Sequence, residues 1–129
     1  MGLAVALKLA SLGANLAIDT RSNSANDATT TNDGDIIFGS TVDSDTTARI
    51  LDLEVDDGTA TIVDSVGEIS ALEEVDINID AASTLDIGGN VVVSGAAGID
   101  LPDLNLTADI TLQTTNAAAD ITVDTVDGA

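Results

Sequence analysis

Carboxylates are the side chains in this sequence that could do chemistry, because the chain has 23 Asp and Glu residues and no His, Cys, Tyr or Trp. Four aspartates recur in two pairs at a spacing of 24 residues, Asp52 with Asp76 and Asp56 with Asp80. On neighbouring strands, the carboxylates of each pair would face each other across roughly 5 Å and repel. Ca²⁺, which takes six to eight oxygen ligands, would turn that repulsion into a cross-link. The four aspartates are therefore candidate calcium ligands.

A solvated acidic face with diffuse counterions is the competing interpretation of these aspartates. Neither the D-x-[DN]-x-[DN]-G loop nor the G-G-x-G-x-D nonapeptide of calcium-binding proteins occurs in the chain. Both interpretations stay open at this point, and no cofactor other than calcium is expected.

Catalysis by paired acids is not expected, although Asp56–Asp57, Glu73–Glu74 and Asp33 with Asp35 could each be drawn as a dyad. A glycosidase places two carboxylates across a cleft in which aromatic side chains stack on the sugar. Phe38 is the only aromatic residue, and the absence of His excludes a Ser–His–Asp triad. We predict that the protein is not an enzyme.

The charge balance limits the partners, since only Lys8, Arg21 and Arg49 oppose the acids and the net charge is −20. Phosphate binding needs a basic patch, so nucleic acid and anionic membrane surfaces are not expected as partners. Cation-rich surroundings, outside the cell or in a saline cytosol, suit such a chain. No run is apolar enough for membrane insertion, because Lys8, Gly13 and Asn15 interrupt Met1–Ile18.

A repeat of 24 residues positions the acids, because the stretch Asp33–Ala82 contains two copies of one 24-residue pattern. In each copy, acids alternate with apolar residues along a strand pattern. A fixed period of this size is typical of stacked repeat architectures, in which each unit buries its apolar face on the next. The matched apolar positions are Phe38 with Ile62, Val42 with Val66, Leu51 with Val75, Leu53 with Ile77, and Val55 with Ile79.

The repeat loosens after residue 82. Ile87 and Val91 follow Ile62 and Val66 at a slightly longer interval. Leu104 and Leu106 are aligned with Val75 and Ile77 at a longer interval still, with the extra residues in 94–103. The stretch from Leu104 to Leu112 alternates and predicts one long strand. The pentapeptide at 108–112 recurs in similar form at 119–123, which favours two main strands and two turns per unit.

These patterns predict an all-β chain folded as a parallel β-helix, with aliphatic side chains stacked inside successive coils. The alternative is an antiparallel β-sandwich of pilin type, which also has short strands at regular spacing. We expect an N-terminal capping or docking segment at 1–21, a polar linker at 22–32 and a β-strand repeat domain at 33–129. Since Asp127–Gly128–Ala129 stops within the pattern, the chain is expected to be part of a longer protein.

The N-terminal segment has two interpretations. Met1–Leu12 alternates like a strand but also has apolar residues at helical spacing before Gly13, which favours a short helix, and Leu16 and Ile18 begin a strand. GLAVALKLASLGANLAID resembles the first helix and second strand of short-chain dehydrogenases. Only Gly2 of that family's glycine-rich turn could be present, and its catalytic tyrosine cannot be, so no nucleotide site is expected.

Residues 33–129 resemble another family. The segments GDIIFGSTVDS, ILDLEVDDGTATIVDSVG and VDINIDA are similar to repeats of bacterial surface adhesins of the filamentous-haemagglutinin and β-strand-repeat kind. The resemblance implies a right-handed β-helical stalk displayed outside the cell. We therefore expect a structural or adhesive segment of an extracellular surface protein that self-associates as an oligomer or filament. A host surface or a matrix polymer is a further candidate partner. The alternative is an acidic calcium-binding or cation-binding module of a surface layer or matrix fibre.

Overall fold

The computed structural model describes residues 15–20, 34–55, 58–79 and 84–128. These residues form eleven strands and no helix. The strands are β1 (Leu16–Asp19), β2 (Ile36–Phe38), β3 (Ile50–Val55), β4 (Ala60–Ile62), β5 (Leu72–Ile79), β6 (Leu85–Ile87), β7 (Val91–Leu101), β8 (Leu104–Leu106), β9 (Leu112–Thr114), β10 (Asp120–Val123) and β11 (Val126–Gly128).

The strands form two parallel sheets, and the chain passes from one to the other as it winds. The first sheet has the order β1-β3-β5-β7-β10, with β9 also pairing with β7, and the second has the order β11-β8-β6-β4-β2. Every strand pair is parallel, and each strand lies one coil away from its partner. The chain is therefore a right-handed parallel β-helix of about four turns, as predicted, and the antiparallel sandwich alternative is wrong.

The predicted register is confirmed in the first coils. Leu53 lies opposite Ile77, and Phe38 lies opposite Ile62 on the other sheet. An isolated bridge joins Val42 to Val66 at a third position of the coil. Residues at the same position in successive coils therefore form a column, in which each side chain packs on the next.

The core is a thin stack of aliphatic side chains, because alternate residues of each strand point inward. In β3, Leu51, Leu53 and Val55 are fully buried, while Asp52 and Glu54 lie on the outer face. Phe38 is the only aromatic residue in the core and is also buried. Such a narrow interior suits small aliphatic side chains, chiefly those of Val, Ile and Leu, which pack closely on one another.

The predicted alignment of Leu104 with Val75 is wrong. Leu104 stacks on Leu85 of the other sheet, and it is Ile99 that stacks on Val75, at the same interval that separates Val75 from Leu51. Two changes in length explain the difference. Extra residues between Val93 and Gly98 shift the register of β7 against β5, and only residues 102–103 then separate β7 from β8.

The long strand predicted from Leu104 to Leu112 is also wrong. Strand β8 ends at Leu106, and Leu112 begins β9 on Val91 after a corner of the coil. The echo of 108–112 in 119–123 does not mark equivalent strands, because only Leu112 of the first copy lies in a strand, at the start of β9, whereas residues 120–123 form β10. Strands β9 and β10 stack on the two ends of β7. Each coil therefore has three strand positions rather than the two expected, and the turns between them interrupt the alternation.

Two glycines are required where the coils cross closely. Gly67 and Gly98 have φ angles of 70° and 92°, in the left-handed region that side chains disfavour. A Cβ on either would meet a carbonyl oxygen of the next coil, that of Val92 or Asp120.

At the N-terminal side, the predicted strand at Leu16 and Ile18 is confirmed as β1, which pairs with β3. The predicted helix or strand at Met1–Leu12 and the whole predicted linker at 22–32 lie outside the described residues. In the described part of the chain, the structure contains no helix of the length and apolarity that crossing a membrane requires.

Candidate functional site

The outer face of the first sheet brings three aspartates into one column. Asp52 on β3 lies opposite Asp76 on β5, and Asp76 lies opposite Asp100 on β7. They stand between inward-pointing residues of their strands, so their side chains share the outer face. Strands of a sheet are about 4.8 Å apart, which sets the spacing of these carboxylates. We call Asp52, Asp76 and Asp100 the aspartate row.

Two of the four predicted calcium ligands, Asp52 and Asp76, are thus neighbours, while Asp56 and Asp80 lie outside the described residues. Sequence reasoning missed Asp100, the third member of the row. The signal was present, because Ile99–Asp100–Leu101 repeats the pattern of Val75–Asp76–Ile77 at the period of the first two copies. The competing alignment of Leu104 with Val75 concealed it.

The central carboxyl of the row, that of Asp76, has a raised pKa. Desolvation by partial burial, followed by the charges of Asp52, Asp100 and Glu54, raises the pKa of Asp76, and a hydrogen bond from Asn78 opposes this shift. The pKa of Glu74, two residues earlier on the same strand, is raised first by desolvation and then by Asp76 and other acids. The face therefore favours protonated carboxyls or nearby cations.

Asp52 is held in an unusual environment. Its Oδ1 atom is inaccessible to solvent and has no hydrogen-bond partner, a condition shared in the described residues only with Nε of Arg49. The three carboxylates follow a line across the strands and do not converge on a common point. No group of three or more acidic residues in the described ranges has an arrangement that could hold a metal ion.

Elsewhere, acids accept hydrogen bonds from side chains of the following coil. Nδ2 of Asn105 donates to Asp86 at 2.7 Å, and Oγ1 of Thr125 donates to Asp103 at 2.7 Å. We call these contacts acid–donor pairs. Two further pairs join Thr59 to Asp35 at 3.0 Å and Asn78 to Glu54 at 3.2 Å.

Other outward side chains accept hydrogen bonds from backbone N–H groups of the next coil. Asp43 accepts from Ile69 and Ser70, at 3.0 and 3.2 Å, and Oδ1 of Asn90 accepts from Thr111 at 2.8 Å. In these contacts, as in the acid–donor pairs, the accepting side chain lies on the earlier coil. Carboxylates thus help to join consecutive coils as well as to charge the surface.

Arg49 is the only basic residue in the described part of the chain, and its guanidinium lies 3.3 Å from the carboxylate of Asp45. Beside this ion pair is a cavity of about 30 Å³, lined in part by Leu16, Val42 and Leu51. A cavity of this size has room for a water molecule or two but not for an organic substrate.

The described surface can therefore attract cations and bond coil to coil, and the small cavity does not provide a substrate cleft. No protein-family model, curated protein or solved structure matches the chain.

Proposed function

We propose that this chain is a structural β-solenoid segment of an extracellular or cell-surface protein of the adhesin kind, which self-associates and does no catalysis. The observation that carries the proposal is the continuity of the core columns. One of them runs through Leu16, Leu51, Val75, Ile99 and Ile121, with a parallel strand at every step. In such a stack, backbone hydrogen bonds between strands and the packing of the core side chains hold the two ends at a fixed distance. This is a mechanical role.

The surface supports this role. The acid–donor pairs bond the outside of adjacent coils, while the remaining carboxylates keep a large net charge in contact with water. Since Arg49 is the only basic residue in the described ranges, we propose neither nucleic acid nor a lipid bilayer as the partner. The partner that we propose is a second copy of the chain, because parallel strands of a β-solenoid are a template for further strand pairing.

Sedimentation velocity of the purified chain tests this function. We expect species heavier than the 12.9 kDa monomer whose proportion grows with protein concentration, and more of them at higher salt, which screens repulsion between the acidic copies. A monomer at every concentration and salt would contradict self-association.

The second candidate function is that of an acidic cation-binding module, and the aspartate row favours it. Three stacked carboxylates, one with a buried oxygen that lacks a partner, would be stabilised by Ca²⁺ shared between neighbours. We expect millimolar CaCl₂ to raise Tm more than NaCl of equal ionic strength does, and Asp76→Asn to remove the difference. Equal effects of the two salts on Tm would indicate diffuse counterions and would contradict bound Ca²⁺.

A further inference from the structure

We draw no further inference here: the strongest candidate, the aspartate row on the outer face of the first sheet with the unpartnered Oδ1 of Asp52, belongs to the site already described, and no second feature of the described residues points to a ligand for it.

Discussion

A buried side chain in this molecule is packed mainly by the residues above and below it in its column. Leu53 is fully buried between Ile18 and Ile77, which are its partners on the adjacent strands. Its truncation opens a gap that two coils share, because neither neighbour has a larger side chain to move into it.

Leu53→Ala is therefore expected to lower the free energy of unfolding by about 2–5 kcal/mol. Urea denaturation followed by circular dichroism measures the change. Ile69→Ala is the control, since Ile69 is 83% exposed and its truncation should cost no more than about 0.5 kcal/mol. Equal effects of the two substitutions would contradict the burial of Leu53.

The outward aspartates make stability depend on pH. Because desolvation and neighbouring acids raise the pKa values of Asp76 and Glu74 above their ordinary 3.8 and 4.5, these groups favour folding when protonated. Their contribution is fully present below the ordinary values and is lost as pH rises through the raised ones. Backbone hydrogen bonds from Thr59 and Thr47 lower the pKa values of Asp35 and Asp45, whose contribution is lost as pH falls below 3.8.

We predict that the free energy of unfolding increases as pH is lowered from 7 towards 4.5 and decreases again below 3.8. Asp76→Asn should raise stability at pH 7 by roughly 0.5–1 kcal/mol, the scale of a partly exposed charge interaction, and should flatten the profile above pH 4.5. Asp109→Asn removes one charge from an exposed position and serves as the control. A profile that Asp76→Asn leaves unchanged would contradict the repulsion within the row.

At the scale of strands and coils, the acid–donor pairs stabilise the register between neighbours. Asn105 on β8 donates to Asp86 on β6 at 2.7 Å, so the hydrogen bond forms only when these strands pair as observed. The aspartate row lacks such donors except for Asn78, which lies beside Asp76 on its own strand. Side-chain hydrogen bonds therefore join neighbouring coils at some columns of the outer surface, whereas carboxylates repel each other at the aspartate row.

Asn105→Asp is expected to lower the free energy of unfolding by about 1.5–3 kcal/mol at pH 7, because a hydrogen bond to a charged group is replaced by two facing carboxylates. Asn116→Asp adds the same charge in a turn, where the side-chain oxygen that accepts from Ala118 is retained, so it should have little effect. Thermal unfolding at both pH 7 and pH 4 compares the two variants. An equally large loss of stability in Asn116→Asp would mean that the added charge, rather than the loss of the acid–donor pair, destabilises Asn105→Asp.

Coils with the same number of residues were predictable from the sequence, whereas the coil whose segments change in length was not. Leu53 and Ile77 were placed correctly because the interval between the first two copies is constant along β3 and β5. Leu104 was misplaced because its coil combines extra residues inside β7 with a short connection to β8, and apolar alternation alone does not reveal either change. Hydrogen bonds between outward side chains were not predictable individually, since they depend on the exact stacking of the coils.

At the scale of the whole molecule, the coils stack in register from β1 to β10. This stacking gives the chain its aliphatic core and sets the aspartates in a row. The proposed structural role depends on it.

The most direct test is a distance between two exposed positions of one column. Ala17 and Thr122 are separated by four strand steps through Asp52, Asp76 and Asp100, so their Cα atoms should lie about 19 Å apart. Pulsed dipolar electron paramagnetic resonance on the spin-labelled Ala17→Cys/Thr122→Cys chain measures this distance, since the sequence has no native cysteine. Stacked coils should give a single narrow distribution near that value, and a broad distribution, or a mean longer by several strand spacings, would contradict the stacking.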